Sequence, residues 1–188
     1  MRILFLGPND SPLLDYLRAV ETLVVATMSR IDVPYIDEYK FDFLVSYNYR
    51  RILKGDVLGR FPDRAVNLHI ALLPWNRGAD PNFWSFVEKT PKGVTIHYLD
   101  EGVDTGDIIV QNQIDSYPGD TFHMMYDRLH VYIQWLFTQH WNGIRNGSCP
   151  RRKQVGDGTF HWSKDKDKYM YLLTNGWDTP VSIVGGAK

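Results

Sequence analysis

The feature that most narrows the fold is the rhythm of the first seventy residues: short apolar runs, each closed by a turn or helix-start signal. Arg2–Leu6 ends at Gly7-Pro8-Asn9-Asp10, which reads as a buried strand entering a loop. Ser11 before Pro12 offers an N-cap and a first helical position for a helix to about Val20. Leu23–Met28, Phe41–Tyr47 and Ala65–Ile70 are further candidate strands, with a short helix expected over Tyr49–Leu58. Strand, loop, helix and strand in series predict a parallel sheet with crossover helices.

The second half has a different grain. Pro81–Thr90 reads as helix, Gly93–Leu99 and Asp107–Asp115 as extended chain, and the DEGVDTGD stretch between them as a loop. One long helix follows, capped by Asp120 or Thr121 and stopped at Asn146-Gly147. Phe122, Met125, Leu129, Ile133 and Leu136 recur at three and four residues, the spacing of one buried face. The expected fold is therefore α/β: a Rossmann-like, mostly parallel sheet flanked by helices, with a long C-terminal helix. A polar tail over 151–188 is expected to pack on it, so that 1–188 forms a single domain. A chain of 188 residues can bury roughly 70% of its unfolded surface without disulfides or metal.

Composition excludes several classes of function. With 21 Lys plus Arg against 22 Asp plus Glu, the chain has no electrostatic case for nucleic acid or an anionic membrane as its main partner. A single cysteine, Cys149, rules out an internal disulfide and fits a reducing compartment. No apolar run reaches the roughly 18–20 residues of a membrane span, and the N-terminus lacks the marks of a signal peptide. The expected location is cytoplasmic. The Trp135–Trp141 segment would suit a homodimer interface or a core equally well.

Three stretches carry chemistry. Asn67 and His69 stand at strand positions i and i+2, so both side chains share a face near the strand end. A carboxamide donor beside an imidazole suits acyl transfer, with an oxyanion stabilised and a proton accepted near neutral pH. A histidine satisfied by backbone at a strand end is the plainer alternative. The stretch Asp100–Asp107 holds four carboxylates and two glycines; one aspartate could orient His69, or the loop could be a solvated turn. It does not follow the EF-hand pattern, and His69, His97 and the aspartates show no metal-ligand spacing. Without a G-x-S-x-G motif, the reaction would be direct attack by a substrate nucleophile. In Trp75-Asn76-Arg77-Gly78, Arg77 could grip a phosphate or carboxylate and Trp75 could stack on a flat ring, or the stretch could be a surface turn.

Taken together, NLHIALLPWNRGADPNFW and KGVTIHYLDEGVDTGDIIVQ resemble the N10-formyltetrahydrofolate-dependent formyltransferases. The resemblance implies Asn67, His69 and Asp104 as the catalytic trio and N10-formyltetrahydrofolate as cofactor. It implies that the pterin is held largely by backbone groups around Tyr47, Tyr49 and Ile52, and around Asp100, Gly102 and Val103. A primary amine would attack the formyl carbon. Asn67 and protonated His69 would stabilise the tetrahedral oxyanion, while Asp104 keeps His69 oriented. His97 aligns with a histidine common in the family, with a hydrogen bond beneath the loop or a direct role both open. The stretch LLPWNRGADPNFW most resembles the nucleotide-sugar N-formyltransferases, which would turn Trp75, Asn76, Arg77 and Gly78 toward the sugar nucleotide. His161, Lys164 and Lys166 could approach a pyrophosphate or be plain surface residues, and the surface reading is preferred because a charge cluster is usually solvated. Glycinamide ribonucleotide or another small amine is the alternative acceptor, and a non-catalytic folate-binding protein is the alternative to an enzyme.

Overall fold

The computed structural model describes residues 1–186. In chain order the strands are β1 (Arg2–Leu6), β2 (Leu23–Thr27), β3 (Phe43–Tyr47), β4 (Ala65–His69), β5 (Arg77–Gly78), β6 (Gly93–Tyr98), β7 (Ile108–Gln113), β8 (Phe160–His161) and β9 (Thr174–Trp177). The helices are α1 (Pro12–Val20), α2 (Val33–Tyr39), α3 (Gly55–Leu58), α4 (Pro81–Val87), α5 (Phe122–Asn146) and α6 (Val181–Gly186), with a 3-10 segment over Ser163–Leu172.

The main sheet runs β2-β1-β3-β4-β6-β7. Neighbours from β2 to β4 are parallel, whereas β4–β6 and β6–β7 are antiparallel. Order reverses at β1, which lies between β2 and β3, and such a switch point opens a crevice at the carboxyl ends of the strands. Among the described residues, no helix is long and apolar enough to cross a membrane.

Alternation along the strands assigns the two faces. Ile3, Phe5, Phe43, Val45, Val66 and Leu68 turn to a core shared with α1 and α5. Leu4, Leu6, Leu44 and Ala65 turn to the opposite face, under α2 and α3. Ala65, Asn67 and His69 share this second face by the same alternation. The apolar layer thus ends where the polar residues begin.

Local signals explain the helix ends. Ser11 accepts a hydrogen bond from the Leu13 amide at 3.2 Å, as an N-cap does. Thr121, not Asp120, caps α5 by accepting from the Met124 amide at 3.2 Å. Asp120 is instead gripped by both terminal nitrogens of Arg128, at 2.6 and 2.7 Å. Gly147 closes α5 at φ 69°, a conformation that glycine adopts without strain.

Several expectations needed correction. α2 had no expected counterpart, although Asp32 before Val33-Pro34 is its start signal and accepts from the Tyr35 amide. The helix expected over Tyr49–Leu58 shrinks to α3, because Asn48 adopts φ 56° and the chain leaves β3 extended. Trp135 and Trp141 do not form one surface: Trp141 is fully buried edge-on against Phe43, and Trp135 is 51% exposed. Nor are His161 and Lys166 plain surface residues. His161 stacks on Trp84 with ring centroids 3.7 Å apart, and Lys166 pairs with Asp80 at 2.6 Å. The tail contacts α4 through both.

Candidate active site

The site starts from the β4–β6 pair. Asn67 lies directly across from His97 and His69 across from Thr95, so Asn67, His69 and His97 crowd one face. The carboxylate, Asp104, arrives by the loop between β6 and β7. Asp100 ties that loop internally, accepting from the Gly102 amide at 3.1 Å and the Thr105 hydroxyl at 2.7 Å. Gly106 passes so close to the Tyr98 carbonyl oxygen that no Cβ would fit. Asp104 itself is left-handed at φ 54°, a conformation that short polar residues tolerate best, and it points back over the sheet.

Both carboxylate oxygens of Asp104 are used. Oδ1 accepts from Asn67 Nδ2 at 3.0 Å and lies 3.3 Å from His97 Nε2. Oδ2 accepts from the Gly78 amide at 2.9 Å and lies 3.7 Å from His69 Nδ1. Burial alone would push the Asp104 carboxyl up. The His69 charge, the His97 hydrogen bond and charge, and the Gly78 amide together outweigh it, holding the group well below the usual carboxylate range.

Partners also fix how the two imidazoles face. His97 Nδ1 lies 2.8 Å from the Tyr98 carbonyl oxygen, which can only accept, so Nδ1 carries a proton. Its Nε2 faces Asn67 Nδ2 at 3.3 Å and the Asp104 carboxylate. The residue is 1% exposed, so it bonds beneath the loop and braces Asp104, with no surface left for a ligand. His69 donates from Nε2 to the Asn76 carbonyl oxygen at 2.9 Å, which turns Nδ1 toward Asp104.

The other sequence candidates divide. Trp75 is exposed beside the site. Asn76 does not present its side chain to a substrate: it is fully buried, with Nδ2 on the Thr90 hydroxyl at 2.7 Å. Its left-handed backbone, φ 56°, turns the carbonyl toward His69 instead. Arg77 is likewise committed, with Nε and Nη2 both on Gln154 Oε1 at 3.0 and 2.9 Å. Gly78 contributes the amide on Asp104 rather than a substrate contact.

On the cofactor side, Tyr47 is buried with its hydroxyl 2.7 Å from His130 Nδ1, so its ring is core and its hydroxyl is taken. Burial pushes that phenol up and pushes His130 down to about 4. Tyr49 reaches the Ser29 carbonyl oxygen at 2.8 Å. Ile52 is 64% exposed, and Val103 stands half-buried in the loop that carries Asp104. Among the described residues, the backbone groups of Ile52 and Val103 have no hydrogen-bond partner. The two loops are neighbours, since the Glu101 carboxylate lies against Gly55.

Sequence reasoning missed Gln154 and the buried Tyr47–His130 pair. Nothing in the polar tail singled out one glutamine. The only signal for His130 was its place beside the apolar stripe of α5.

Comparison with known proteins places this arrangement. Residues 26–140 match the family model described as formyl transferase. A crystal structure of the formyltransferase PseJ from Anoxybacillus kamchatkensis, in complex with UDP-4,6-dideoxy-4-formamido-L-AltNAc and tetrahydrofolate, is 48% identical with a TM-score of 0.95, each chain covered in full. A methionyl-tRNA formyltransferase of Syntrophus aciditrophicus is 42% identical over 137 residues, 66% of this chain and 44% of the relative. A dTDP-4-amino-4,6-dideoxyglucose formyltransferase of Mycobacterium bovis is 28% identical over 136 residues, 72% of this chain and 57% of the relative. The chain thus spans about half the length of these two curated relatives. The family model takes in more than half of the chain, including Asn67, His69 and Asp104, and the chain therefore belongs to the formyl transferase family.

Proposed function

We propose that the protein transfers a formyl group from N10-formyltetrahydrofolate to the primary amine of a nucleotide-linked amino sugar. The observation that carries this reading is the convergence of Asn67, His69 and Asp104 within a chain that matches PseJ over its whole length. Because PseJ is bound to a UDP-linked formamido sugar, a UDP-linked amine is the first acceptor to try.

The residues present fit the cofactor. A pterin edge alternates donors and acceptors, and the unpartnered backbone groups of Ile52 and Val103 supply both kinds. The exposed Ile52 side chain gives a flat ring an apolar surface. Asp100 and Gly102 shape the loop that carries Val103, and Tyr47 and Tyr49 fix the start of the opposite one.

When bound, N10-formyltetrahydrofolate supplies the electrophilic formyl carbon. Asn67 and His69 line the face where negative charge on the formyl oxygen would develop: the Asn67 carboxamide N–H would donate to it, and the charge of protonated His69 would stabilise it while Nε2–H stays on the Asn76 carbonyl oxygen. Before substrate binds, Asn67 Nδ2 is engaged by Asp104 and His97. A donor is thus held in place and gives up one of these contacts to act. The amine nitrogen would bond to the formyl carbon as the bond from that carbon to N10 breaks; His69 would take the amine's proton on Nδ1 and pass it to N10 of the leaving tetrahydrofolate, while Asp104 keeps the ring oriented and stabilises its charge. Trp75 is the exposed flat side chain offered to the acceptor.

The chain is proposed to act as one catalytic unit in the cytoplasm, with no nucleic-acid partner. A second copy would seat on the α5 face that exposes Val131 and Trp135, which sedimentation at two concentrations tests. The activity itself is tested by mass spectrometry. The purified protein is incubated with N10-formyltetrahydrofolate and a panel of UDP-, dTDP- and GDP-linked amino sugars, glycinamide ribonucleotide and methionyl-tRNA. Gain of one formyl group on a nucleotide sugar is the expected result. Formylation of another amine alone overturns the acceptor, and folate binding without any formylation overturns the reaction.

A further inference from the structure

The tail runs back along the loop that carries Asp104. Arg151 pairs with Asp107 at 2.7 Å, and the backbones of Arg152 and Ile108 exchange two hydrogen bonds, at 2.7 and 2.9 Å. This zips residues 151–152 against the end of the loop and delivers Gln154 beside Asp104. Gln154 Nε2 donates to the carbonyl oxygens of Asp104 at 2.8 Å and Gly106 at 2.9 Å. Its Oε1 accepts the fork of Arg77. The orientation of this amide is unambiguous: a guanidinium can only donate and carbonyls can only accept, so the nitrogen must face the loop.

From this geometry we propose that Gln154, oriented by Arg77, is a positioning residue that holds Asp104 in its working conformation. It rests on the formyltransferase reading above and adds to it a residue outside the matched 26–140. The need for such a hold is visible in the loop. Asp104 keeps a left-handed backbone, and no backbone amide of the protein binds its carbonyl oxygen among the described residues. Gln154 satisfies that oxygen and the next but one, fixing the peptide units that link Asp104 to Thr105 and Gly106 to Asp107. Arg77 closes the circuit, because the adjacent Gly78 amide holds the Asp104 carboxylate from the other end. The same Arg–Gln contact thus ties together the two segments that grip Asp104. Arg77 therefore acts on the catalytic carboxylate and not on a substrate phosphate.

The test uses the full chain and four variants: Gln154→Ala, Gln154→Glu, Arg77→Ala and the Arg77→Ala/Gln154→Ala double. Gln154→Glu separates folding from positioning. It keeps an acceptor for Arg77, now charged, but turns oxygen toward two carbonyls that need a donor. Both Gln154 variants are expected to lower kcat at least tenfold, with KM for each substrate within twofold of the parent. Gln154→Glu is expected to melt at the parental temperature. The double variant is expected to match the worse single within about twofold, since both changes break one device. Hydrogen exchange should quicken over residues 100–107 in Gln154→Ala and stay unchanged in β1 and β3. Parental kcat and parental exchange in Gln154→Ala would overturn the proposal. A raised nucleotide-sugar KM with unchanged kcat in Arg77→Ala would also overturn it, returning Arg77 to the substrate. If the parent formylates no amine, the functional reading fails on its own, and the exchange experiment still decides whether Gln154 holds the loop.

Discussion

Asp104 has two oxygens and four groups that compete for them: Asn67, His97, Gly78 and His69. Its low proton affinity follows, and so does its sensitivity to substitution. Asp104→Asn keeps the shape but places an amide nitrogen against donors, and steady-state kinetics should show kcat lower by about 10³–10⁴-fold, as for other buried carboxylates that orient an imidazole. The folded-state pKa of Asp104 is depressed, so its contribution to stability is present above the ordinary carboxylate range. That contribution is lost as pH falls through the folded value. Urea titrations below pH about 4 should therefore show a shallower acid loss in Asp104→Asn than in the parent. His69→Ala removes the group proposed to accept the proton and should lower kcat by about 10²–10⁴-fold while circular dichroism stays parental.

Within the elements, α5 shows what a periodic sequence reveals and what it hides. The stripe from Phe122 to Leu136 is buried as the spacing predicts. Trp135 and Trp141 look alike as letters, yet six residues at 3.6 per turn set them about 120° apart around the helix, one in the core and one in solvent. Trp141→Ala should cost about 3–5 kcal/mol in chemical denaturation, whereas Trp135→Ala should stay within about 0.5 kcal/mol. The two tryptophans and the proposed catalytic trio also mark the limit of legibility. Asn67 and His69 were readable because a strand's alternation fixes their side-chain direction without knowledge of the rest. Asn76 and Arg77 were not, because a left-handed residue at Asn76 inverts the expected directions, and their partners Thr90 and Gln154 are distant in sequence. α5 also carries a pH response. His130 is held neutral by burial, with a folded pKa of about 4. Its contribution is fully present above the unfolded value near 6.5 and is lost as pH falls through 4, about 3 kcal/mol in all. Replacing His130 by Gln should remove that part of the slope in stability measured between pH 7 and 4.

At the level of the whole molecule, the mostly parallel sheet and the long helix were legible, whereas the order of the strands and the path of the tail were not. Its polar contacts are single long-range pairs, β5 with β8, Lys166 with Asp80 and Gln154 with the Asp104 loop, and its buried Leu173, Val181 and Val184 are too few and too scattered to leave a periodic trace. The two faces of the sheet also end differently. One is roofed with apolar helices along its length. On the other, α2 and α3 cover Leu4, Leu6, Leu44 and Ala65 and then give way to polar loops over Asn67 and His69. A ligand seated there completes the roof, and heat should report its arrival. Tetrahydrofolate at a hundred times its dissociation constant adds about 2.7 kcal/mol to the folded state, enough to raise the melting point by several degrees in a chain of this size. A thermal shift that saturates with folate, and is blunted when Ile52 is replaced by Asp, would make the protein's own unfolding a gauge of occupancy before any acceptor amine is known.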